Sequence, residues 1–198
     1  MSAAANFLFE MWMLAKQERT WFAFLWTWKQ SIAEHVNRVC YTGYVLAQMD
    51  GTVDPAKVVM MCLFHDMAEA RSLDHHYTAQ AYVTVDEARI VEDQTKNLPF
   101  WQDIKNIVHE YETRESQASL LAKDADYIEL FLLLKEQADL WNPNGKKRMW
   151  LYLARMRTEV WKKLMQEITE TWYDDRRIGP ALGTMDKKDS KYDPEATI

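Results

Sequence analysis

Phe64-His65-Asp66-Met67-Ala68-Glu69-Ala70 closes an apolar run, and the chain is organised around it. Val58, Met61, Cys62 and His65 recur at i, i+3, i+4 and i+7, the spacing of one helix face, so His65 falls on the inward side. Histidine and aspartate both bind divalent metals, through a ring nitrogen and a carboxylate oxygen. Glu69, one turn beyond Asp66, can face the same place without being a ligand. A His-Asp pair alone is a weak signal, and its weight depends on what else converges on it.

Upstream, Ser31-Ile32-Ala33-Glu34 has the form of a capping box and opens a helix over Ile32 to Met49. Its inward stripe is His35, Val39, Gly43 and Leu46, which places a second histidine on a buried face. Asp54 and Pro55 start the helix that carries His65. Downstream, Ser116 to Trp141 reads as one long helix stopped by Asn142-Pro143-Asn144-Gly145. Within it, Lys123-Asp124-Ala125-Asp126 interrupts apolar positions such as Leu121, Ile128 and Leu130. A carboxylate buried there without a partner is costly, and periodicity does not choose between Asp124 and Asp126.

The remaining chain is also helical in pattern. One helix spans Ala4 to Arg19. Another is opened by a second capping box, Thr84-Val85-Asp86-Glu87, and ends before Pro99. Others cover Trp101 to Glu112 and Lys146 to Tyr173. An aromatic connection runs from Trp21 to Trp28, and a loop holding Asp74, His75 and His76 runs from about Arg71 to Val83. The fold class is therefore all-α, with one domain over 1–175 and a charged tail over 176–198.

The 198 residues carry a formal net charge of −6, which argues against a general nucleic-acid surface but leaves room for a local basic pocket for a small anion. Cys40 and Cys62 sit on apolar helical segments and read as buried thiols in a reducing compartment. No apolar run approaches the ~20 residues of a membrane span. The segment Met1 to Leu14 lacks a basic leader and is broken by Glu10. The expectation is a cytoplasmic protein without membrane or nucleic-acid partners.

Taken in order, Ser31 with His35, then His65-Asp66 with Glu69, then Lys123-x-x-Asp126, resemble the HD-domain metal-dependent phosphohydrolases. The resemblance runs from about Gln17 to Tyr173. It is nearer to the branch of 5'-deoxynucleotidases and archaeal and bacterial HD hydrolases. It implies a helical bundle holding one divalent transition metal (Mn, Co, Fe, Ni or Zn) on His35, His65, Asp66 and Asp126. The family spacing points to Asp126 rather than Asp124. It also implies substrate-pocket roles for Arg19, Glu69 and Asp74, with a nucleotide-like phosphomonoester as substrate, foremost a (deoxy)nucleoside 5'-monophosphate. Related hydrolases are commonly dimeric. Phe7, Phe9, Trp12, Trp150, Trp161 and Trp172 crowd the terminal helices, so a homodimer is expected.

The chain departs from the family pattern at Leu73, which stands where relatives carry a loop glycine, so a turn of different backbone shape is expected. His75 or His76 with His109 would suit a two-iron oxygenase as an alternative. A nucleotide-sensing module without turnover is another. Trp26 and Trp28, near His35 in sequence, are candidates to stack on a base.

Overall fold

The computed structural model describes residues 2–150 and 153–173, so the 176–198 tail lies outside the described residues. Among those described, regular structure is helical apart from one antiparallel bridge between Glu18 and Ser31. The centre is three helices: α2 (Ile32–Asp50), α3 (Pro55–Phe64) and α8 (Gln117–Asp139). Val39, Leu46, Val58, Met61, Leu121, Ile128 and Leu134 pack between them with no solvent exposure. The approach of α2 to α3 is close because residue 43 is glycine. A Cβ there would lie 2.6 Å from Cys62 Sγ and 3.3 Å from Val58 Cγ1.

Local signals set most of the boundaries. Ser31 Oγ accepts from Glu34 N (3.2 Å) while Glu34 Oε2 accepts from Ser31 N (2.7 Å), completing the capping box of α2. Asp54 Oδ1 accepts from Ala56 N at 2.9 Å, with Pro55 in the first turn of α3. Around the centre lie α1 (Ala3–Met11), the short α4 (Glu69–Ser72) and α5 (Tyr77–Gln80), α6 (Glu87–Thr95), α7 (Trp101–Thr113), α9 (Pro143–Arg148) and α10 (Val160–Glu170). None of the described helices is long and apolar enough to cross a membrane.

Three expectations about the helices are corrected. The helix expected from Ala4 to Arg19 ends at Met11 and continues only as a 3-10 turn, Trp12–Ala15. Gln17 to Arg19 is instead drawn alongside the chain before α2, with Ile32 N donating to Gln17 O (3.0 Å) and Arg19 N to Gln30 O (2.8 Å). The cap of α6 is Asp86, whose carboxylate accepts from Arg89 N at 3.1 Å, rather than Thr84. The helix expected from Lys146 to Tyr173 breaks into α9, a 3-10 turn at Leu153–Arg155, and α10. The break has a cause on α8: the buried Asp124 carboxylate takes the N–H groups of Arg157 (2.9 Å) and Thr158 (2.8 Å) out of any helical ladder.

Candidate metal centre

The three central helices each deliver part of one cluster. His35 comes from the first turn of α2, His65 and Asp66 from the end of α3, and Asp126 from mid-α8. His35, His65 and Asp126 each offer one ligand atom, all within 4.8 Å of one another. Asp66 Oδ2 lies 3.4 Å from His35 Nε2 and 3.1 Å from His65 Nε2, and Asp126 Oδ1 lies 3.3 Å from His35 Nε2.

The ring tautomers follow from the opposite nitrogens. His65 Nδ1 lies 2.7 Å from the carbonyl of Cys62, which only accepts, so Nδ1 carries the proton. His35 Nδ1 lies 2.6 Å from Glu129 Oε2. Burial raises the Glu129 pKa, but the charges of His35 and Arg38 outweigh it and bring it to about 2, so Glu129 is an ionised acceptor. In the neutral rings both Nε2 atoms therefore present lone pairs, and both are buried without a hydrogen-bond partner. Two nitrogen lone pairs facing two carboxylates repel unless a cation lies among them. Burial and Arg19 oppose a charged His35, yet Glu129, Asp126 and Asp66 raise its pKa well above the ordinary value. The mixed imidazole and carboxylate donors fit a divalent transition metal better than Mg²⁺ or Ca²⁺, which prefer all-oxygen shells.

A supporting layer was not anticipated from the sequence. Glu129 (1% exposed) holds His35 through Oε2, while its Oε1 accepts from Gln30 Nε2 (2.8 Å) and from Arg38 Nε (3.1 Å) and Nη2 (2.9 Å). Such a carboxylate orients a ligating imidazole and raises its basicity. Lys123 Nζ donates to Asp126 Oδ2 (2.8 Å) and Tyr111 Oη (3.2 Å). The signal for Glu129 was an acid between Ile128 and Leu130, the same cost argument applied to Asp124 and Asp126.

The cluster opens into a cavity of about 420 Å³ that also receives Arg19, Glu69, Asp74 and His75. Arg19 Nη1 donates to Asp66 Oδ2 at 3.2 Å. Glu69 Oε2 is buried without a partner, and burial, followed by the charge of Asp66, pushes its pKa up to about 9; a bound cation would oppose that rise. Asp74 lines the cavity, but its Oδ2 is engaged by Thr20 N (2.6 Å) and Thr20 Oγ1 (2.9 Å), clamping the turn that follows Arg19. Asp124 faces away from the cluster: its carboxylate takes Thr158 Oγ1 at 2.6 Å as well as the two amides.

Other expectations meet different outcomes. Leu73 keeps a glycine-like backbone, φ 68 and ψ 161, so the turn has the shape that was expected to change. His76 caps α5 by accepting from Ala79 N at 3.2 Å, and His109 is exposed on α7. Neither lines the cavity, so the histidine pair of the two-iron alternative is not brought together. Trp26 and Trp28 are 89% and 74% exposed, whereas Trp21 and Tyr77, 5.5 Å apart, line the cavity together with Tyr127.

A family model described as the HD domain matches residues 12–169. Solved structures resemble the fold. A conserved hypothetical protein from Pyrococcus furiosus aligns with TM-score 0.71 at 23% identity, covering 84% of this chain and 97% of its own. A protein from Pyrococcus horikoshii OT3 aligns with TM-score 0.69 at 23% identity, covering 83% and 95%. At these identities the likeness speaks for the fold alone. No curated protein matches the sequence.

Proposed function

This chain belongs to the HD-domain family, and on that premise we propose that it is a metal-dependent phosphomonoesterase acting on a nucleotide-like substrate. The first candidate is a (deoxy)nucleoside 5'-monophosphate. The family is one of metal-dependent phosphohydrolases, and the finer assignment is carried by one observation: His65, with its orphaned Nε2, shares a cavity with Asp66, Asp126, Arg19 and Glu69, whose buried Oε2 also lacks a partner. His35, His65, Asp66 and Asp126 would hold the metal. Bound there, it supplies a Lewis acid that polarises a phosphoryl oxygen and lowers the pKa of water.

The chain's own groups account for the rest. Arg19, anchored through one nitrogen to Asp66, presents the remainder of its guanidinium to a phosphate. Glu69 is placed to move a proton to or from water or the leaving oxygen. Trp21, Tyr77 and Tyr127 line the same cavity and give its wall aromatic surface against which a base can pack. Asp74 keeps the Arg19 segment in place through Thr20. The native ion is expected among Mn, Co, Fe, Ni and Zn.

We further propose a homodimer. Phe7 and Trp161 pack against the core, but Phe9 and Trp12 are 77% and 63% exposed beside exposed Leu8 and Met13. A monomer mass by light scattering at micromolar concentration overturns it. The functional reading is tested by loading chelator-stripped protein with Mn²⁺, Co²⁺ or Fe²⁺ and measuring phosphate release from each nucleoside monophosphate. Release is expected with at least one pair. None from any pair, with metal demonstrably bound, refutes it.

A further inference from the structure

Beside the metal-cluster cavity lies a second one of about 710 Å³. Arg114, Lys123, Arg155 and Arg157 line it, with Leu120 and Tyr127, and no described carboxylate does. The first cavity, by contrast, mixes its cations with Asp66, Glu69, Asp74 and Asp126. In a chain of net charge −6, a wall whose described residues include four cations and no carboxylate needs a reason. Arg114, Lys123, Tyr127 and Arg155 line both cavities, so the two adjoin across these side chains.

The backbone holds the cations there at some cost. Arg114 ends α7 in the left-handed region, φ 54 and ψ 35, a position that favours glycine or asparagine. The segment carrying Arg155 and Arg157 is pinned to α8 by Asp124, which takes the amides of Arg157 and Thr158 and the Thr158 hydroxyl. Lys123 is already matched by Asp126, but Arg114 and Arg157 make no ion pair with a described residue.

We propose that this second cavity is an anion subsite, and that the substrate carries a second phosphate group bound there by Arg114 and Arg157. The physiological substrate is then a nucleotide with two phosphate groups, one at the metal cluster and one in the basic cavity. This rests on the phosphomonoesterase reading only for the identity of the first phosphate. Planar guanidinium groups suit the second phosphate because they bind it bidentately.

The test compares adenosine 5'-monophosphate, adenosine 5'-diphosphate and adenosine 3',5'-bisphosphate. Binding to the full metal-loaded chain is measured by calorimetry, with Glu69→Gln included to hold turnover down. At least one two-phosphate ligand should bind about tenfold or more tightly than the monophosphate, with the gain shrinking as ionic strength rises. Which ligand gains tells where the second phosphate sits. Arg114→Gly, which suits the left-handed backbone, and Arg157→Ala should each bring the ratio of dissociation constants towards one, and Arg157→Lys should restore part of it. Equal binding of the three, no binding, or a gain that survives both variants overturns the proposal. A gain without phosphate release from any ligand leaves the subsite standing and removes the phosphatase. Release from the monophosphate without a gain does the reverse.

Discussion

Asp124 and Asp126 are two residues apart on α8 and meet different partners, so replacing each should separate the fold from the proposed metal site. Asp124 is fully buried and accepts from Arg157 N (2.9 Å), Thr158 N (2.8 Å) and Thr158 Oγ1 (2.6 Å). Asp124→Ala deprives three donors of a charged acceptor, at roughly 1–1.5 kcal/mol each, partly offset because burying the carboxylate was itself unfavourable. The net loss should be about 3 kcal/mol, or roughly 6–12 °C in Tm for a chain of this size. Metal binding should stay near that of the parent. Asp126→Ala should do the opposite. It removes one of the converging donors, so metal affinity should fall by more than the roughly 10–100-fold typical of changes behind the ligands. The assay is thermal unfolding of the stripped proteins beside chelator-competition titrations. Metal content that follows Asp124, or an Asp126→Ala chain that binds metal normally, refutes the assignment.

Glu129→Gln should lower metal affinity by roughly 10–100-fold, because His35 loses the carboxylate that fixes its tautomer; competition titrations within twofold of the parent would count against this. Glu69→Gln should keep the metal and slow phosphate release by roughly 10²–10⁴-fold, and an unchanged rate removes Glu69 from proton transfer. Leu73→Gly should raise stability by about 1 kcal/mol, since relief of the strained backbone exceeds the loss of a half-exposed side chain and glycine's extra freedom when unfolded; a lower denaturation midpoint refutes that reading. Adding Mn²⁺ or Co²⁺ to stripped protein should stabilise it by about 4 kcal/mol at a thousandfold excess over Kd. An unmoved Tm would show that the four donors do not form a site.

Much of the architecture was legible in the residue order because it depends on local chemistry. The Ser31 and Glu34 box, the Asp54-Pro55 start and the 3.6-residue stripes marked α2 and α3, and put His35 and His65 on inward faces. The spacing of His65-Asp66 and Lys123-x-x-Asp126 carried the family resemblance, and with it the ligand types. What the residue order could not decide were features set by partners far away in the chain. Arg19 leaves a helical pattern because Gln17 and Arg19 pair with residues 30–32, and the last helix breaks because Asp124 captures amides more than thirty residues distant. The role of Glu129 and the glycine-like turn at Leu73 are likewise invisible to periodicity. A helix stripe says which face is buried. Only packing α2, α3 and α8 together decides which buried polar atoms meet, because each unpaired group is costly until a partner from another helix satisfies it.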